Sequence, residues 1–140
     1  AESFTQVSSP GIPGTETVLP LLYSFGVVAG RLTLPDLVRL TSSGPARIFG
    51  LWGRKGAIAE GFDADLVLFD PSARGPLRDE ELHSAAGFSP FAGLELAGRV
   101  RTTVSRGRVV YDRGVVTGSP GWGRYLERRP FDPEAALSRP

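Results

Sequence analysis

The chain has no cysteine and no methionine, and it carries a single histidine among 140 residues. Without cysteine there is no disulfide framework and no thiolate metal site. That usage fits the expectation of a cytoplasmic protein. A chain with no methionine anywhere points to processing, or to a piece of something longer. No apolar run approaches the ~20 residues that a membrane-spanning helix needs. Ala1 to Pro10 has no basic region followed by an apolar stretch, so it does not read as a secretory signal. Charge of one sign is missing too: 16 basic and 15 acidic side chains leave a formal charge of +1. No strong field draws the chain to nucleic acid or to an acidic membrane. Arg124, Arg128 and Arg129 cluster near the end and read as a solvated tail.

What is present is 41% hydrophobic residues, enough for a core, with 18 glycines and 12 prolines that predict short elements and tight turns. Three regions differ in texture. Residues 1–50 read as helical. A Pro/Gly loop through Gly14 leads into a helix near Thr15 to Val28, with Leu19, Leu22 and Tyr23 on one face. Pro20 either kinks that helix or sits in its first turn if the helix starts late. Gly30 is placed to stop it. Thr33 with Asp36 three residues on predicts a capping box, followed by a helix carrying Leu34, Leu37, Val38 and Leu40. Pro45 starts a short helix through Phe49 that Gly50 ends.

Residues 51–116 read as β. Asp65 to Asp70, followed by Pro71, has the pattern of a buried strand, with Leu66 to Phe69 as core. Val100, Thr102 and Val104 alternate with Arg101, Thr103 and Ser105, and Arg108 to Asp112 is a further strand. Arg106-Gly107 between them suits a two-residue hairpin turn. Ser72 to Gly93 is expected to be mostly loop. Residues 117–140, rich in Pro, Gly and Arg, are expected to form an extended, partly disordered tail.

Several words are more specific than the texture. Gly11-Ile12-Pro13-Gly14-Thr15-Glu16 with Leu19-Pro20-Leu21-Leu22 resembles the segment after the last metal ligand of dihydroorotases. Pro45-Ala46-Arg47-Ile48-Phe49-Gly50-Leu51 resembles their Pro-Ala helix. Lys55-Gly56 through Asp63-Ala64-Asp65-Leu66-Val67-Leu68-Phe69-Asp70 looks like a signature found widely in the amidohydrolase superfamily. Ser89-Pro90-Phe91-Ala92-Gly93 and Gly98 to Tyr111 match the closing pattern of dihydroorotases, allantoinases and dihydropyrimidinases. Two positions depart from the pattern: Gly44 stands where Asn is usual, and Phe88 where a small polar residue is common.

The resemblance implies an α/β chain made of the last helices of a (β/α)8 metal-dependent hydrolase barrel and the C-terminal strands of its small β-sandwich. The implied activity is that of a zinc-dependent dihydroorotase, interconverting N-carbamoyl-L-aspartate and dihydroorotate in pyrimidine synthesis. The remainder of the barrel is the implied partner, a homo-oligomer the implied assembly, and a small cyclic amide the substrate. The alternatives are an allantoinase or dihydropyrimidinase (hydantoinase) relative, and a non-catalytic assembly partner of aspartate carbamoyltransferase. A free-standing β-rich binding module is disfavoured, because the helices before Gly50 would keep exposed apolar faces.

Residue chemistry sets limits on this segment. A zinc centre takes three or four ligands, and His83 with Lys55 cannot build one. His83, beside Glu80 and Glu81, reads as a surface histidine whose acidic neighbours raise its pKa. Lys55 aligns with the sandwich signature and not with a carbamylated barrel lysine, and Asp63 and Asp65 read as a structural pair. Ser42 and Ser43 have no base nearby in sequence, and no Gly-rich run leads to the Lys-Ser or Lys-Thr of a phosphate loop. Catalytic and metal-binding residues are therefore expected outside this segment. The resemblance leaves one contribution here. Pro10 and Gly11 match a loop that lines the substrate pocket and meets the ring through backbone groups.

Overall fold

The computed structural model describes residues 11–130. The chain first folds into short helices and then into an antiparallel meander, in strand order β1-β2-β3-β4. Helix α1 (Val18–Leu22) continues as a π-helical segment Tyr23–Val28. It starts at Val18, three residues later than Thr15, and this places Pro20 in the first turn. There its missing N–H breaks no helical bond. Gly30, at φ +72°, ends the run as expected.

The capping box forms. The Asp36 backbone N–H donates to Thr33 Oγ1 (3.2 Å), and the Thr33 backbone N–H donates to Asp36 Oδ2 (3.1 Å). Helix α2 (Leu34–Val38) follows, then a π-helical segment Arg39–Ser43 and helix α3 (Gly44–Ile48), with Gly50 at φ +67° beyond it. Leu37 is buried, whereas Leu34, Val38 and Leu40 are exposed. Three of these four apolar side chains thus have no cover among the described residues.

The sheet departs from expectation in length. β1 (Leu66–Pro76) runs past Pro71 into the stretch expected to be loop, and β2 (Glu95–Ser105) begins well before Val100. Two features admit Pro71. Among the described residues β1 pairs on one side only, with β2, and its register breaks between Asp70 and Arg74. An edge strand with a bulge tolerates a residue that cannot donate. Asp70 fills the gap locally, its Oδ1 accepting from the Ser72 backbone N–H at 2.8 Å and from Ser72 Oγ at 2.6 Å. Leu66 and Phe69 are partly buried, but Val67 and Leu68 are 49% and 51% exposed, so the expected core of β1 is only half covered. The filled core lies at the other end of the sheet, where β2 meets α1 and Leu77, Leu96 and Ala97 are buried.

β3 (Arg108–Asp112) pairs with β2, and the short β4 (Val115–Val116) pairs with β3. Both hairpins use two-residue turns with two positive φ angles: Arg106 (+47°) and Gly107 (+79°), then Arg113 (+45°) and Gly114 (+87°). This is the I′ geometry that matches strand twist. Gly107→Val places a β-branched side chain in that conformation. It is expected to cost about 1–3 kcal/mol, read as a lower urea midpoint with unchanged slope. A parent-like midpoint would show that the turn relaxes.

Residues 117–130 contain no helix or strand; the first of them lie against the sheet, and the Arg129 backbone N–H donates to Gly50 O at 3.1 Å. The Thr117 and Gly118 backbone N–H groups donate to Val110 O (2.9 and 3.0 Å). The guanidinium groups of Arg106 and Arg108 stand 4.5 and 5.1 Å from the Trp122 ring centre.

Candidate functional site

Of the two residues expected at a substrate pocket, Pro10 lies outside the described residues. Gly11 is exposed, has φ +111°, and has open space where a Cβ would point. The loop after it is closed onto the helix by one carbonyl. Gly14 O accepts from the Thr17 and Val18 backbone N–H groups (3.1 and 3.0 Å) and from Thr17 Oγ1 (3.1 Å). Downstream of Gly11, a cleft of about 670 Å³ opens between this loop, α1 and one face of the sheet. Its walls are apolar, with Pro13, Leu19, Leu96, Val100, Tyr111 and Val116 prominent, and Glu16, Glu81, His83 and Arg99 supply its charge. Gly11 is not among the residues lining it.

His83 is where sequence and structure part. Its acidic neighbours in sequence do not hold it. Glu81 instead accepts from Arg99 Nη1 at 2.7 Å. Glu16, from the turn before α1, holds His83 twice: its Oε2 accepts the His83 backbone N–H (2.7 Å), and its Oε1 lies 2.9 Å from Nδ1. Nε2 lies 3.2 Å from Gly114 O. The Glu16 hydrogen bond, opposed by slight desolvation and aided by the carboxylate charge, raises the His83 pKa above its ordinary 6.5.

Lys55, Asp63 and Asp65 form a second cluster. Lys55 Nζ lies 2.9 Å from Asp63 Oδ2 and also bonds Asp65 Oδ2. Burial pulls the ammonium pKa down, but the two carboxylates outweigh this and hold it above its usual value; Asp63 is in turn pushed down by Lys55. Asp65 Oδ1 accepts the Arg106 backbone N–H at 2.7 Å, and the Gly107 N–H donates to Ala64 O at 2.9 Å. The Asp-Ala-Asp signature thereby fastens the Lys55 turn to the β2–β3 hairpin. Among the described residues no three His, Asp or Glu side chains converge as metal ligands. Among the described acids, Asp63 and Asp65 face Lys55, Glu81 faces Arg99 and Glu16 faces His83, and these pairings do not fit a zinc centre.

Ser24 was invisible as a site in the sequence. It is buried, with Oγ 2.7 Å from Pro20 O and 2.9 Å from Ala97 O, and it accepts the Ala97 backbone N–H at 2.9 Å. The only hint is a pair of small residues, Ser24 and Gly26, in an apolar helix. That composition lets a helix approach a strand closely.

The amidohydrolase family model matches residues 28–111. The chain belongs to the amidohydrolase family. It is 44% identical over 123 residues to D-phenylhydantoinase from Escherichia coli O1:K1 / APEC, an alignment covering 88% of this chain and 27% of that protein. Among solved structures it is similar to an L-hydantoinase (dihydropyrimidinase) from Arthrobacter aurescens, with TM-score 0.80 and 36% identity over 84% of this chain and 26% of the other. A D-hydantoinase (dihydropyrimidinase) from Thermus sp. gives TM-score 0.77 and 41% identity over 81% and 25%. The chain thus spans about a quarter of the length of the curated relatives it matches. Its helices and strands are those of the amidohydrolase barrel and its accompanying sheet, as the motifs implied. These relatives are hydantoinases, so they favour the hydantoinase alternative over dihydroorotase. The words that suggested dihydroorotase stand in a chain similar to hydantoinases, so they do not separate these two kinds. Pyrimidine synthesis and a carbamoyltransferase partner gain no support from these relatives.

Proposed function

We propose that this chain is part of a cyclic amide hydrolase of the hydantoinase and dihydropyrimidinase kind. The observation that carries this reading is 44% identity to a D-phenylhydantoinase across 88% of the chain. The catalytic groups and any catalytic metal belong to residues outside this chain. What the chain contributes is a shaped loop and the framework that holds it. Pro10 and Gly11 are proposed to meet the substrate ring through backbone donors and acceptors. Such groups suit a planar imide, because they orient it without a side chain.

The full-length protein should hydrolyse hydantoin or dihydrouracil in preference to cyclising carbamoyl-aspartate. Turnover of dihydroorotate alone would overturn the hydantoinase reading. Gly11→Val should lower kcat/KM roughly 10- to 100-fold, because a small misplacement at the pocket wall is amplified in the rate. Metal content should not change. Unaltered kinetics would reduce Gly11 to part of a connecting loop.

A further inference from the structure

The apolar cleft, the Lys55 clamp and the Trp122 stack each serve the fold. The His83 cluster does something more specific. Both contacts of the His83 ring are to groups that only accept, a carboxylate oxygen and a carbonyl oxygen. A neutral imidazole has one N–H and can satisfy only one of them, whereas the imidazolium satisfies both. The third bond, from the His83 backbone, goes to the same carboxylate. One residue therefore joins the turn before α1 to the β3–β4 turn at Gly114. Glu16 lies five positions after Gly11, with the Gly14 carbonyl knot between them.

We propose that His83 is a positioning residue, holding the loop before α1 in place through the Glu16 carboxylate. The proposal rests on the reading that this loop meets the substrate ring. Tyr111 on β3 packs edge-on against His83 at 5.8 Å between ring centres, and Arg113 beside Gly114, Arg99 on β2, and Glu80 and Glu81 on its own segment line the same hollow. Arg99 is engaged by Glu81, which leaves Glu16 as the acid bonded to the ring. The raised His83 pKa has a definite sign. Its stabilising contribution is complete below the unfolded value near 6.5 and is lost as pH rises through the higher folded value. The ring therefore holds the loop more firmly at lower pH than at higher pH, while the backbone bond to Glu16 persists at both.

The test uses the full-length protein, with hydrogen exchange of the amides of residues 11–17 and steady-state kinetics on hydantoin as readouts. His83→Gln and Glu16→Gln should each speed exchange several-fold after correction for intrinsic pH dependence. The double variant should add little, because both changes remove one interaction. KM should rise several-fold with kcat nearly unchanged. In the parent, protection should fall over the pH range in which the His83 ring titrates by NMR. His83→Arg, which always donates, should restore protection and abolish its pH dependence. Unchanged exchange in His83→Gln and Glu16→Gln overturns the proposal. Faster exchange with unchanged KM upholds the clasp and overturns the placement of the loop at the pocket. A full-length protein inactive on every ring amide overturns the hydantoinase reading, and the exchange data still decide the clasp.

Discussion

Gly98→Ala is expected to cost about 2–6 kcal/mol of stability, the sum of backbone strain and overpacking of roughly 1–3 kcal/mol each. Gly98 lies on β2 at φ +79°. A Cβ there would stand 2.4 Å from Phe69 Cε1 and 2.8 Å from Tyr23 Cδ1. Those rings pack edge to face, with centres 4.9 Å apart, where the first helix crosses the sheet. The added methyl has no direction in which to move, because its own backbone conformation is already unfavourable. Urea unfolding of the full-length protein should show a lower midpoint, and near-UV circular dichroism should report disturbed Tyr23 packing. A loss under about 0.5 kcal/mol, within the range of ordinary surface changes, would mean that both rings swing aside freely. The helix–sheet joint would then not depend on close approach at Gly98.

Leu96→Ala should be the largest single-side-chain loss in the sheet, about 2–5 kcal/mol for a buried leucine. Leu96 is 2% exposed beneath α1. Leu68, expected from sequence to be equally buried, is 51% exposed. The two substitutions remove the same atoms, so their difference reads cover alone. In the full-length protein, a Leu68→Ala loss close to that of Leu96→Ala would show that a second sheet lies on the outer side of β1. A loss within about 0.5 kcal/mol would place Leu68 at a solvent-facing surface. Denaturant midpoints of both variants with the parent decide between these outcomes.

How much was legible depends on how far apart the partners are. The Thr33–Asp36 box, the stop at Gly50 and the Arg106-Gly107 turn each involve a few consecutive residues, and residue type alone decides them. The end of β1 was misread because Pro71 looks like a terminator. Only the pairing partner shows that β1 is an edge strand with a bulge at that point. The hydantoinase likeness was available only as an alternative, since the motifs serve the shared framework and not the ring substrate.

The sequence by itself determined the caps, the tight turns and the kinship to the amidohydrolases. Spacing, glycine positions and donor counts require no third dimension. Tertiary structure alone decided which charges meet. Glu16 reaches His83 across 67 positions, while Glu81, two residues away, turns to Arg99. Ser24 reaches Ala97 across 73. Chain neighbours on an extended or turning backbone point in different directions, so adjacency in sequence does not put a carboxylate against a ring. Packing a helix on a sheet does, because it brings remote backbone within hydrogen-bond reach and leaves side chains few other places to go.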